Sequence, residues 1–366
     1  MIKSNIKIAI RSLLRNKTFS FMNILGLAVG ISACFLIYIY VTFETSYDNF
    51  HSKADRIYRV VTDVKTPTET INSSYITSPV AINLKKDFPE IEDAVRISPD
   101  EFLVKKGNVK FQEKKSVLAD STLFNVFDFP LIAGDKKTAL TEPMSVVISQ
   151  TAAKKYFGNT NPMGQEIQLT GNAINAKITG VMKDIPNNSQ IEADMIVSIS
   201  SWKPIYGNPI SDSEWTNHTN YTYILVKPHT NVNAMAARFP AFQEFHHGEE
   251  AKKLQMQDYL SLEPLLDVYL KSKRGGFITG SITNVIYFFC HCDIYSAYCL
   301  CKFYQSYYST QCGTGKGSWH KKSSRCNAFS TGKTVYQRKH HYLLHRIFAI
   351  PRFIRNSVAI IQPVGR

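Results

Sequence analysis

The chain has 366 residues, 44% of them hydrophobic, which is enough to bury a sizeable core and excludes a chain disordered throughout. Its net charge of +14 would suggest an anionic partner, but the excess is local: from residue 285 onward there are 12 Lys+Arg against Asp293 alone, leaving 31 Lys+Arg and 28 Asp+Glu in residues 1–284. Cysteine divides the same way, with Cys34 alone before residue 285 and six after it, which argues against a disulfide framework and a broad nucleic-acid-binding surface.

In chain order, the first 18 residues place Lys3, Lys7, Arg11 and Arg15 four apart, with Ile2, Ile6, Ile10 and Leu13 on another face. That spacing predicts a basic amphipathic helix at a membrane surface. No charge occurs between Lys17 and Glu44, and the stretch from Phe19 to Phe43 is long enough to span a bilayer. It is too long for the apolar region of a cleavable signal, and no small-residue cleavage site follows it. Gly26 and Gly30 form a G-x-x-x-G pair that would let another helix approach closely. Five cations and no acid precede the span, which predicts a cytoplasmic amino terminus and an external segment from Glu44 onward.

Residues 44–280 are polar and mixed. Four stretches have the β-branched and aromatic content of strands: Asp55 to Val64, Met144 to Gln150, Ala176 to Met182, and Asn220 to Pro228. Ser78 to Phe88 and Ser149 to Gly158 predict helices with serine N-caps, the second ending at glycine. A turn is expected over residues 184–188. The fold class is therefore α+β: an amphipathic helix and a transmembrane helix, followed by one mixed extracytoplasmic domain.

No catalytic constellation stands out. His246 and His247 beside Glu249 and Glu250 are expected to be a solvated charged stretch, because adjacent helical residues face different ways. Asp120, Asp128 and Asp135 are expected to be turn and surface acids. The N-x-[ST] triplets at Asn72, Asn187, Asn217 and Asn220 carry meaning only in a eukaryotic secretory protein. No catalytic, cofactor or metal residue is assigned, and the chain is expected not to be an enzyme.

Several segments resemble the MacB/FtsX-like family of ABC-transporter permeases. After the basic start and the span comes "ETSYDNFHSKADRIYRV", then "SPVAINLKKDFPEIEDAVRI", "VLADSTLFNVFDFPLIAGDKKTAL", "SVVISQTAAKKYFGNTNPMGQEI" and "ITGVMKDIPNNSQIEADMIVS", in order. The resemblance implies a bacterial inner-membrane permease subunit that carries a periplasmic MacB-type domain. It also implies a separate ABC ATPase that binds the ATP, a homo- or heterodimer of permeases, and no nucleic acid. Transport and efflux are functions of such systems, and nothing in the sequence selects a substrate.

Residues 281–366 depart from that pattern. A second membrane helix and an ATPase-docking segment are expected here, yet "IYFFCHCDIYSAYCLCKFYQ" carries His291, Asp293 and Lys302. Reading the codons implied by Cys312 to Asn327 one base later permits A-E-R-A-K-E-V-G-I-R-K-V-V-G-A-M, which is similar to the family's docking segment. The same shift applied to residues 286–310 permits an uncharged helix. A frame change at or just before Ile286 accounts for the cysteine-rich, basic tail, which is then expected to have no evolved fold. Lys316 and Lys333 then belong to near misses of a phosphate loop, since the first is followed by Gly317 and the second lacks its earlier glycine at Asn327. Cys290-x-Cys292 and Cys299-x-Cys301 lack the usual zinc spacing. The alternative that needs no docking segment is a single-span protein whose external domain binds a ligand or partner.

Overall fold

The computed structural model describes residues 17–170, 174–207, 212–291 and 294–295. Residues 24–299 form one compact unit; the others group separately, and of them only residues 17–23 are described. The expected amphipathic helix before Lys17, the phosphate-loop near misses, the zinc near misses apart from Cys290, and the docking segment all lie outside the described residues.

Helix α1 (Lys17–Glu44) is continuous and contains the uncharged stretch. Its apolar window is only 6% buried, whereas the core helix of a soluble protein would be mostly covered. Exposed Phe21, Ile24, Phe35 and Leu36 suit a lipid environment rather than water.

Beyond α1 the chain builds a 12-stranded sheet. Its first half contains β1 (Ile57–Lys65), β2 (Thr70–Ser73), β3 (Ile76–Thr77), α2 (Ser78–Asp87), β4 (Ile91–Lys106), β5 (Val109–Ala119), α3 (Leu123–Val126) and β6 (Leu131–Ala133). The second half contains β7 (Ser145–Ser149), α4 (Gln150–Phe157), β8 (Glu166–Thr170), β9 (Ile174–Met182), β10 (Met195–Ser198), α5 (Trp202–Tyr206), β11 (His218–Val226), α6 (Val232–Ala236), α7 (Phe239–Leu254), β12 (Gln257–Pro264) and α8 (Leu265–Lys271). A short apolar helix, α9 (Ile282–His291), follows. The four expected strands correspond to β1, β7, β9 and β11, and the two expected helices to α2 and α4.

β4 joins two regions. Its start pairs with β11, from Ile91↔Val226 to Ile97↔Tyr221, while its far end pairs with β5 and β8. The β4–β5 ladder carries a register shift between Asp100 and Phe102. From Ile97 onward, pairing closes into a ring, β4-β5-β10-β7-β9-β8 and back to β4, so these strands leave no free edge among themselves. Before it, β12-β1-β11-β4 is an open antiparallel sheet.

Alternation sorts the side chains into separate cores. Val146, Ile148, Met195 and Val197 pack with Tyr156 and Phe157 of α4, while Val147 and Ile196 from the same strands pack with Leu123 and Phe127. A third core lies between the open sheet and helices α2 and α7, around Val60, Ile224, Phe239 and Trp215.

Capping is half as expected. Ser149 caps α4, its Oγ accepting from Ala152 N at 3.1 Å, and Gly158 ends the helix at φ 60°. For α2, however, Thr77 occupies the cap, without a side-chain bond. Ser78 lies inside the helix and instead accepts from the buried Asn220 Nδ2 at 2.7 Å.

Candidate functional site

Polar contacts converge among the described residues at the joint where α1 ends and α8 leads toward α9. Three sets of contacts build it.

The first centres on Tyr269 of α8. Its hydroxyl donates to Glu44 Oε2 at 2.9 Å, and its ring stacks on Tyr47 with planes 4° apart. Burial pushes its phenol upward, and the contacts with Tyr47 and Glu44 add to this, so the hydroxyl stays a donor. Gly280 N donates to Tyr269 O at 2.8 Å, and a Cβ at Gly280 would lie 2.6 Å from the Tyr269 ring. Tyr269 therefore grips the end of α1 and the start of the segment leading to α9. Within the helices themselves, Tyr40 of α1 meets Phe288 of α9 at 5.0 Å.

A second set stitches the exit of α1 to the loop after β9. Asp48 N donates to Asn188 O at 2.8 Å, and Asn188 Nδ2 donates to Ser46 O at 3.0 Å. Asp48 Oδ1 accepts from Ser189 Oγ and Gln190 N at 3.1 and 3.2 Å. Asp48 is 1% exposed and adopts φ 57°, a left-handed conformation that Asp tolerates better than most residues. Burial raises its carboxyl to about 6 against these hydrogen bonds.

The third is an ion network on β1 and β12. Arg59 is fully buried in the strand; its Nη2 donates to Glu263 at 2.6 Å and Ser272 Oγ at 2.8 Å, and its Nη1 to Gly275 O at 3.0 Å. Arg274 binds Asp63 through Nη2 at 2.6 Å and Glu263 through Nη1 at 3.0 Å. Such pairs lose much of their Coulomb gain to desolvation, but they fix the connector in one geometry.

The histidine pair is corrected by the fold. His246 and His247 do not form a solvated stretch: both rings stack on Trp215, and His246 Nε2 lies 2.6 Å from Asp87 of α2. His247 also lines a cavity of about 10 Å³, room for one water, with His218 and Asp258. No group of three or more metal-ligating side chains is present among the described residues. Asp120 binds Arg96 through both oxygens, Asp128 accepts from Ser52 N and Oγ, and Asp135 accepts from Lys137 N, so the three acids serve separate local contacts. Asn220, one of the glycosylation triplets, is fully buried. Gly26 and Gly30 lie on α1, and an added Cβ at Gly26 meets nothing within 4 Å.

Sequence reading missed Arg59, Asp48 and Tyr269. Arg59 had a signal, as a cation inside an otherwise apolar strand pattern. Tyr269 had none, because its partner Glu44 lies 225 positions away.

Fold and joint together define a membrane-anchored α+β domain held externally behind an apolar helix. Residues 20–242 match the MacB-like periplasmic core domain, and the chain belongs to that family of ABC-transporter permease domains. A domain assigned to a permease of Porphyromonas gingivalis is 24% identical with TM-score 0.53, covering 64% of this chain and 98% of its own. The periplasmic region of MacB from Actinobacillus actinomycetemcomitans is 13% identical (TM-score 0.41, 58% and 89% covered). The extracellular domain of the ABC-type transporter YknZ from Gram-positive bacteria is 14% identical (0.41, 57% and 99%). No curated protein sequence matches the chain.

Proposed function

We propose that the chain is a permease subunit that passes motion between a separate ABC ATPase and an external domain. In this reading α1 spans the bacterial inner membrane between Phe19 and Phe43, the amino terminus is cytoplasmic, and Gly26 and Gly30 face a neighbouring helix, including that of a second permease. ATP binds to the partner subunit; the chain holds no cofactor and does no chemistry. Residues after Val285 are read in a shifted frame, and the frame-restored chain supplies the second membrane helix and the docking segment.

The observation that carries the reading is the joint at Tyr269, which ties Glu44 at the end of α1 to Gly280 before α9. A displacement of one helix relative to the other would be felt by β1 and β12 through Arg59. Coupling of this kind needs two arrangements of the joint, biased by the partner's nucleotide state.

The test is nucleotide hydrolysis by an ABC ATPase captured by the frame-restored chain, in proteoliposomes. Stimulation by the frame-restored chain and none by the 366-residue chain is expected. Stimulation by the 366-residue chain would refute the frame reading, and a frame-restored chain that captures no ATPase would refute the permease reading. The single-span binding protein is then the surviving alternative, since the external domain folds around its own cores without any docking segment.

A further inference from the structure

The Asp48 carboxyl is set apart from the other joint acids by what surrounds it. Glu263 and Asp63 are met by arginines, and Glu44 by a phenol. Asp48 meets only neutral donors: Ser189 Oγ and Gln190 N bond Oδ1, and the Gln190 side-chain amide also acts on the carboxyl. Its Oδ2 is buried with no protein partner among the described residues, and neither has the nearby Gln190 Nε2. The residue sits where the external chain begins, and its own N–H forms one of the few bonds holding that segment to the loop.

We propose that this joint is a proton-sensitive latch, in which taking up one proton on Asp48 tightens the docking of residues 45–51 onto the 186–191 loop. A buried carboxylate with one oxygen unpartnered costs free energy that the neutral acid does not. The protonated form keeps the acceptor at Oδ1 for Ser189 and Gln190 and carries the proton at Oδ2, so no existing bond is lost. Because the domain lies outside the membrane, the proton comes directly from the external medium.

The groups around Asp48 decide the sign. His51, on its own segment, faces Asp128 and is held down to about 4 by burial. Tyr223 of β11 donates its hydroxyl to Gln190 Oε1 at 3.3 Å and feels Asp48, with Arg59 of β1 and Glu263 of β12 also acting on it; its phenol is pushed up by burial and stays neutral. Arg59 is committed to Glu263, and the loop contributes only Ser189 and Gln190. With the folded carboxyl at about 6 and the ordinary value at 3.8, the folded joint binds the proton more tightly than the open one. Asp48's own contribution to docking therefore strengthens as pH falls through 6. Across pH 7.5 to 5 this amounts to roughly a tenfold drop in the opening equilibrium. His51 acts in the opposite direction below its ordinary value, so the comparison is between wild type and a variant at position 48.

Hydrogen exchange of residues 45–51 and 186–191 in the full chain in lipid nanodiscs, corrected for intrinsic rates, measures that opening. Opening of wild type relative to that of Asp48→Asn should be roughly tenfold larger at pH 7.5 than at pH 5, because His51 contributes alike to both forms; Asp48→Asn keeps the Oδ1 acceptor and tolerates the left-handed backbone. Ser189→Ala removes a donor to the carboxylate, so its step should persist and move to higher pH. The same pH dependence in Asp48→Asn as in wild type would overturn the proposal, as would a step in Ser189→Ala that does not move. The proposal goes beyond the coupling reading; no ATPase enters the measurement, and failure of the permease reading would leave it standing.

Discussion

The Tyr269 hydroxyl donates to the Glu44 carboxylate at 2.9 Å, closing a contact across 225 positions of sequence. Glu44 is buried, so Tyr269→Phe leaves its carboxylate without this donor while keeping the ring stacked on Tyr47. A loss of about 1–3 kcal/mol is expected, read as a lower thermal midpoint of the full chain in micelles. An unchanged midpoint would mean that the bond does not hold the joint.

Arg59 presents a larger liability. Its guanidinium is fully buried, and removing it leaves Glu263 with Arg274 as its remaining cation and frees the Gly275 carbonyl. Arg59→Met should cost about 3–5 kcal/mol. The paired variant Arg59→Met with Glu263→Gln should recover part of that loss, because the carboxylate that lost its 2.6 Å partner is then neutral. Denaturant midpoints of the four forms in a double-mutant cycle give the coupling directly.

Two glycines separate backbone strain from crowding. Gly158 has φ 60° with nothing within 4 Å of an added Cβ, so Gly158→Ala should cost about 1–2 kcal/mol from conformation alone. Gly134 has φ 97°, and its Cβ would stand 2.5 Å from Thr179 O on β9. Gly134→Ala should cost more than Gly158→Ala, and equal losses would show that β9 yields to relieve the contact.

His51 supplies a pH test of opposite sign to that of Asp48. Burial holds its imidazole down to about 4, so the fold prefers it neutral. Its contribution is fully present above the ordinary value of 6.5 and is lost as pH falls from there toward 4. Over that interval the full effect is about 3 kcal/mol. His51→Gln should flatten the fall of the thermal midpoint between pH 6.5 and 4; a slope equal to wild type would remove His51 as its source.

The elements legible in the sequence were those whose signals are local. Residues 145–149 form a strand buried throughout, with Val146 to Ile148 apolar, and Ser149 and Gly158 bracket α4 with cap and stop. Ser78 misled because Pro79 inside the first turn moved the cap to Thr77, freeing the serine to meet Asn220 from another strand. His246 and His247 read as solvent-facing because nothing local announces Trp215, which arrives from a loop some 30 residues earlier and covers both rings. The ring of strands was not legible either: β8 closes it by pairing with β4, more than 60 positions away. Tyr269 and Glu44 belong to the same class of long-range pairing.

The central claim is that the end of α1, the connector before α9 and the sheet form one mechanical unit. Hydrogen exchange in lipid nanodiscs, comparing residues 45–51 and 265–280 with the β4–β5 turn at 106–109, tests it most directly. Both joint segments should be protected close to the level of β1 and β11, and Tyr269→Phe should lower protection in both together while the β7–β10 region is unaffected. Joint segments that exchange as fast as the 106–109 turn in the wild-type chain would contradict it.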